Sequence, residues 1–388
     1  MNASPRSDRR THIVRNFLVW PVIVFFAVLL LLALFWRSTR AHLQAIAVLD
    51  QLNGHPVPRL LRPIAAMPAT TRTLAIPSAA GNISARLYTP VHRPAAPGLV
   101  LVPGIHYLGM NEPRLMAFAR SLAACGLRVL TPELPESRDY RIDPGDVAAI
   151  GDSAEWLRRA TDRRVGLMGL SFSGGLAVMA AAEPSYSNDV SFVFAVGAHD
   201  DLSRVATFYA TGADPLPDGN IERETPNNYG PWIIEYEHLE DFTKPGDTDA
   251  IRAALRATLY NDAALEKQLE TKLTPGQKAE YAAVLSHPDG PLVDSNKKHA
   301  PEMAGVSPHG NLAGLHVPVY LLHGRGDNLI PFAESEWLAK DVPSGTLKEL
   351  LVSPLIVHVG TTQSQAGLWD KWQLVHLLAQ VIKRAEHA

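Results

Sequence analysis

From Arg72 onward the apolar residues fall into two alternating rhythms. Gly98–Pro103 (GLVLVP), Leu127–Thr131, Arg164–Met168 and Val190–Val196 are short runs rich in apolar residues. Such runs mark strands buried on both faces of a sheet. Between them, Leu115–Cys125, Asp146–Ala160 and Gly174–Ala182 show helical spacing, and the first of these stops at Gly126. Ahead of them, Arg72–Pro77 and Ile83–Thr89 flank the turn Ser78-Ala79-Ala80-Gly81-Asn82, which predicts an antiparallel hairpin. Strand, helix, strand in succession predicts right-handed crossovers and an α/β domain with a mostly parallel central sheet flanked by helices.

The rhythm breaks near Gly197. Residues 199–310 hold helical stretches, Asp249–Tyr260 and Gln277–Leu285 among them, with no clear sheet strand. The sheet pattern resumes with Val317–Leu322, a helix from Phe332, a strand at Leu347–Val352 and a last helix from Leu368. The reading is one domain over 71–388 with a helical insertion at 199–310. Residues 37–70 have no clean period and read as a linker with a short helix around His42–Asn53.

Phe17–Trp36 (FLVWPVIVFFAVLLLLALFW) is different in kind: 20 residues without a charge. As a helix it is about 30 Å long, the thickness of a hydrocarbon core. Pro21 lies in the first turns, and Trp20 and Trp36 stand near the ends. The run reads as a transmembrane anchor. A signal peptide has an apolar core of about 7–15 residues with a small-x-small site directly after it, whereas Arg37-Ser38-Thr39-Arg40 follows here and Ala45-Ile46-Ala47 comes later. A buried core helix is the third reading. Arg6, Arg9, Arg10 and Arg15 outnumber Arg37 and Arg40 across the run. This bias favours a cytoplasmic tail at 1–16, a single pass at 17–36 and the bulk of the chain on the outer side.

Composition narrows the classes further. With 46% hydrophobic and 19% charged residues among 388, the chain is neither disordered nor fibrous. Its 36 basic and 39 acidic residues leave a net charge of −3, so no basic excess exists to neutralise phosphates and nucleic acid is not expected as a partner. Cys125 is the single cysteine, which excludes an intrachain disulfide and a multi-cysteine zinc site.

The chemistry gathers at Gly169-Leu170-Ser171-Phe172-Ser173-Gly174-Gly175, directly after the strand Val165–Met168. This resembles the nucleophile elbow of the α/β-hydrolase superfamily, a serine on a sharp strand-to-helix turn that requires small residues on either side. Gly169 is the first of these, and Ser173 stands where the family pattern has glycine. Ser173 has small flanks of its own, Ser171 and Gly175, and is the rival nucleophile; serines acting only as helix caps are the plainer alternative. The segment Val317–Pro331 (VPVYLLHGRGDNLIP) is similar to the superfamily's acid strand, with Asp327 on the loop after it, although an Asp in Arg-Gly-Asp-Asn is also an ordinary turn residue. Leu350–Val357 ends at His358. Ser171, Asp327 and His358 then follow the superfamily's chain order of serine, acid and histidine. His376, inside an apolar helix, is the rival histidine; Asp200 and Asp201 are rival acids.

The resemblance implies an oxyanion hole formed by the backbone N–H groups of Phe172 and of Ile105, in the loop Pro103-Gly104-Ile105-His106. His106 faces the same place or is an ordinary loop histidine. The closest likeness is to the dienelactone hydrolase and S9-peptidase-like branch, with serine rather than the cysteine of dienelactone hydrolases. The implied activity is hydrolysis of a small-molecule acyl substrate, a carboxylic ester, at the membrane surface through an acyl-enzyme, with no metal or organic cofactor. A peptidase or amidase and a non-catalytic binding module on the same fold are the other readings. Phe208, Tyr209, Tyr229, Trp232, Tyr236 and Phe242 make the insertion either a substrate-shaping lid or a unit with its own aromatic core.

Overall fold

The computed structural model describes residues 25–26, 30, 35–78, 81–287, 289–357, 360–361 and 367–387. Eight strands form one sheet: β1 (Ala69–Ile76), β2 (Ile83–Pro90), β3 (Gly98–Val102), β4 (Arg128–Pro132), β5 (Val165–Leu170), β6 (Val190–Val196), β7 (Val319–Gly324) and β8 (Leu347–Ser353). Their order is β1-β2-β4-β3-β5-β6-β7-β8. The first pairings, β1 with β2 and β2 with β4, are antiparallel; every later pairing is parallel. The hairpin and the parallel sheet expected from the pattern are both present.

Two helical layers cover the sheet. On one face lie α1 (Trp36–Leu52), α2 (Pro113–Ala124) and α12 (Leu368–Glu386); on the other lie α3 (Gly145–Thr161), α4 (Phe172–Ala182) and α11 (Ala333–Asp341). Strand residues divide between the layers by alternation, as a pleated backbone requires. Leu99 and Leu101 of β3 pack toward α1 and α2, while Val100 and Val102 pack toward α3 and α4. Both strand faces are fully buried, which is why the strand reads as an unbroken apolar run.

The chain between β6 and β7 carries α5 (Leu202–Thr211), α6 (Tyr229–Glu237), α7 (Thr248–Leu259), α8 (Ala263–Lys272), α9 (Pro275–Leu285) and α10 (Asp289–Ala304). It also holds a small hairpin, Ala213–Pro215 with Ile221–Arg223, outside the main sheet. Pro215 and a charged, exposed second strand gave that hairpin no apolar signature. The helices have a core of their own around Tyr236, Ile251, Leu255 and Tyr281.

The membrane placement expected from residues 17–36 is corrected here. Among the described residues no helix is long and apolar enough to cross a membrane. Most of that run lies outside the described residues, and its end at Trp36 opens α1, a helix with a different character. Ala41, Gln44, Ala45 and Val48 of α1 are buried against the sheet layer, a spacing of three and four that makes one core-facing stripe. The Gln44 amide donates to the carbonyls of Ile64 and Cys125 at 2.9 and 2.8 Å. The single pass, the cytoplasmic N-terminus and the outward-facing domain are withdrawn with it. The helix expected around His42–Asn53 starts earlier, at Trp36, and its first turns carry Arg37, exposed, and Arg40, half-buried and 3.7 Å from Glu386 of α12.

Candidate active site

β5 runs directly into α4, and Ser171 alone makes the turn, with φ 57° and ψ −137°. A positive φ on a residue with a side chain costs about 1–3 kcal/mol and persists only where the surroundings dictate it. Here the Ser171 N–H donates to the Val196 carbonyl and the Ser171 carbonyl accepts from the Gly174 N–H, both at 2.7 Å. Gly169 is dictated by the same geometry: a Cβ there would stand 2.2 Å from the Ser173 carbonyl oxygen. The rival Ser173 lies inside α4, fully buried, while Ser171 faces a cavity.

Gly104 approaches the nucleophile position from the loop after β3. A Cβ on Gly104 would lie 3.1 Å from Ser171 Cβ and 3.7 Å from its Oγ. The loop backbone therefore passes directly over Ser171, and Ile105 lines the same cavity. The N–H of Phe172, at the start of α4, and that of Ile105 have no acceptor among the described residues. Phe172 is held by its ring, which stacks on His199 at 4.8 Å. His199 is wholly buried, donates from Nε2 to the Val306 carbonyl at 2.8 Å, and packs against Gly175, whose added Cβ would meet Cε1 at 2.5 Å. Burial pushes its pKa down to about 4, so it is neutral and acts as packing behind the elbow. Sequence reasoning missed it; its place immediately after β6 was the only signal.

Asp327 is buried in the turn after β7. One carboxylate oxygen accepts the N–H groups of Leu329 and Ile330, each at 3.0 Å. The other lies 3.5 Å from His323 Nε2, whose proton is directed to the Ile330 carbonyl at 2.9 Å. The turn thus fixes the acid in place. His358 lies outside the described residues. The rival His376 sits on α12, with Nδ1 3.0 Å from His42 Nε2 and its ring near Trp372, in a surface cluster between α12 and α1.

The rival acids have a different task. Glu334 accepts the N–H groups of Asp200 and Asp201 at 2.9 and 2.8 Å. Arg204 bridges Glu334 at 2.5 Å and Asp200 at 2.9 Å. Asp201 also caps α5, accepting from Ser203 N–H at 2.9 Å. This buried network fixes the point where the chain leaves the sheet for the insertion. Even with Arg204 adjacent, burial and then the neighbouring Glu334 push Asp200 up to about 7.

The cavity has a volume of about 780 Å³. It opens over the C-terminal ends of β5 and β6, where Leu170 and Val196 line it, the edge at which open α/β sheets bind ligands. Of the insertion's aromatics, Tyr209, Tyr229 and Trp232 line the cavity, whereas Phe208 and Tyr236 are buried in packing. Tyr229 donates to Tyr140 OH and Tyr140 donates to the Leu259 carbonyl, both at 2.8 Å, which ties the insertion to the loop that follows β4. Tyr107 stacks between His106 and Tyr260, with ring centroids 4.7 and 5.2 Å away. His106 also lines the cavity; its Nδ1 accepts from Leu108 N–H at 3.2 Å, which leaves the proton on Nε2, and burial lowers its pKa.

Among the described residues, two side-chain groups outside the cavity bring metal-ligating atoms within 4.8 Å of one another. In the first, the His238 and His299 rings are parallel, 3.5 Å apart, so their in-plane lone pairs do not converge on one point. In the second, Asp200, His309 and Asp341, the Asp200 carboxylate is already taken by Arg204.

Residues 99–361 match the model of the alpha/beta hydrolase family. The match takes in the elbow, the acid turn and the insertion, and the chain belongs to that family. No curated protein matches the sequence. Among solved structures, the chain is similar to an esterase from Pyrobaculum calidifontis, at 17% identity and a TM-score of 0.43, covering 89% of this chain and 91% of that one. The rice cell wall degrading esterase LipA from Xanthomonas oryzae is 14% identical with a TM-score of 0.47, covering 87% and 92%. An acylaminoacyl peptidase from Pyrococcus horikoshii is 14% identical with a TM-score of 0.42, covering 75% and 38%. At these identities and scores the likenesses add nothing to the family assignment.

Proposed function

We propose that the protein is a serine hydrolase that cleaves a carboxylic ester through an acyl-enzyme. The observation that carries this is the placement of Ser171: held at φ 57° between β5 and α4, under the Gly104 backbone and facing the cavity. His358 takes the Ser171 proton as Oγ attacks the acyl carbonyl, and Asp327 orients the imidazole. The oxyanion receives the N–H groups of Phe172 and Ile105. His358 returns the proton to the departing alcohol, then activates the water that releases the acid. His358 enters by chain order, between β8 and α12.

An ester suits the walls better than a peptide does. The lining is mostly apolar, with Asn53, Asn227, Thr258, Asn261, His106 and tyrosine side chains as its neutral polar members. Among the described residues its only carboxylate and guanidinium, Glu112 and Arg114, pair with each other at 2.8 Å. That pair satisfies itself and leaves no spare carboxylate for a substrate's amino terminus. The insertion acts as the lid over the acyl pocket, with Tyr209 and Trp232 in its cavity wall. Within the family we place the chain in the dienelactone hydrolase and S9-peptidase-like branch, on the strength of the β1–β2 hairpin ahead of the buried strands.

The test is paired. Ser171→Ala should lower turnover of a short nitrophenyl ester by a factor on the order of 10⁶, with the folded state retained, while Ser173→Ala keeps most activity. An inactive Ser173→Ala beside an active Ser171→Ala would reverse the assignment of the nucleophile. Faster turnover of the matching anilide than of the ester would favour an amidase.

A further inference from the structure

The cavity that exposes Ser171 is lined from both faces of the sheet. On the insertion side its wall is Leu202, Val205, Tyr209 and Ile233. On the opposite side, beyond Leu170 and Val196, the wall is Leu49 and Leu52 of α1, Phe118 of α2, and Leu374 and Leu378 of α12. The α1 and α12 residues lie outside residues 99–361, the stretch matched by the family model. The part of this wall made by Leu49, Leu52, Leu374 and Leu378 is therefore supplied by this chain's flanking helices.

These side chains need an occupant. Leu52 is 39% exposed, one of the exposed large apolar residues of the fold, and Leu49 beside it is only partly buried. A cavity of about 780 Å³ is in the range that encloses a drug-sized ligand, whereas an acetate ester of a small alcohol fills a fraction of it. An acyl group directed to the insertion side alone would leave the leucines of α1 and α12 uncovered. The charges on this side, Glu112 and Arg114 at the start of α2, neutralise each other at 2.8 Å, and apart from Asn53 at the end of α1 the remaining wall is apolar, so the group it takes is a hydrocarbon.

We propose that the second wall binds an apolar group across the scissile carbonyl from the one held under the insertion. The substrate is then an ester with hydrocarbon groups of several carbons on both its acyl and its alcohol side, and Leu49 and Leu52 set specificity on one of them. The proposal rests on Ser171 being the nucleophile.

The test uses the full chain with two ester series: ethyl alkanoates of increasing acyl length, and alkyl acetates of increasing alcohol length. Wild-type kcat/KM should rise in both series, by roughly three- to fourfold for each methylene that enters an apolar wall. Leu49→Trp should cut the ratio of long to short esters at least tenfold in one series and leave that ratio intact in the other. Leu52→Trp, at the exposed rim, gives the same pattern if Leu49→Trp does not fold. A gain confined to one series in the wild type overturns the proposal, as does a tryptophan that flattens both series or neither. Ser171-dependent hydrolysis with a flat second series sinks this inference alone. Ester hydrolysis that survives Ser171→Ala sinks the assignment of the site as well.

Discussion

Adding one methyl group at Gly169 tests how tightly the elbow is built. The new Cβ would stand 2.2 Å from the Ser173 carbonyl oxygen and 2.7 Å from Gly174 Cα, where ordinary contact begins at 3.4 Å. Both obstacles are backbone, so no rotamer change relieves them, and the first turn of α4 must withdraw by roughly one ångström. Overpacking in a close-packed interior costs about 1–3 kcal/mol. The functional cost is larger, because Ser171 is bonded to that turn through the Gly174 N–H. A displacement of about 1 Å at a reacting group costs on the order of 10²-fold in rate. The assay is kcat/KM for a short nitrophenyl ester at matched folded concentration, with a thermal melt of the same samples. Gly169→Ala should melt lower and turn over about a hundredfold slower. Wild-type rates from a variant that melts lower would show that α4 moves without carrying the nucleophile, and an unchanged melt would refute the close approach itself.

Other expectations concern the surroundings of the site. Asp200 has a folded pKa of about 7 against roughly 3.9 in an unfolded chain. The folded state therefore holds the proton more tightly, and the stability this gives is full below pH 4 and lost as pH rises through 7; Asp200→Asn should make the melting temperature fall less between pH 4 and 8 than it does in the wild type. Tyr140→Phe removes the hydroxyl between Tyr229 and the Leu259 carbonyl, and should cost about 1–3 kcal/mol and speed amide exchange in residues 229–260; unchanged exchange would mean the tie does not hold the insertion down. Trp232→Ala should change acyl-length preference more than it changes the melt, and a loss of about 3–5 kcal/mol with preference intact would assign Trp232 to the insertion's own core.

Much of the fold was legible because both rhythms are strong. β6 spans Val190–Val196 in the pattern and in the structure, since each of its residues is apolar or small and all but the last are buried. The elbow was legible because it forces a local choice: a glycine at 169 and a small residue at 173 are demanded by a turn only a few residues long. The support behind it was not, because it is assembled across the sequence. Glu334 reaches Asp200 and Asp201 from α11, and no spacing rule links residues so far apart. Reading Asp200 and Asp201 as rival acids registered their position at the sheet edge but not Arg204, which occupies Asp200. The apolar run at 17–36 led the other way. Its length suited a membrane, and the stripe at Ala41, Gln44, Ala45 and Val48, which packs α1 on the sheet, was masked by the arginines around it.

The identity of the nucleophile can be read directly by covalent capture. The full chain would be treated with a fluorophosphonate, which phosphonylates an activated serine, and the adduct would be located by intact mass and peptide mapping. The expected result is one adduct per chain, on Ser171, retained in Ser173→Ala and absent from Ser171→Ala. An adduct on another residue, or none on a chain that hydrolyses esters, would contradict the account.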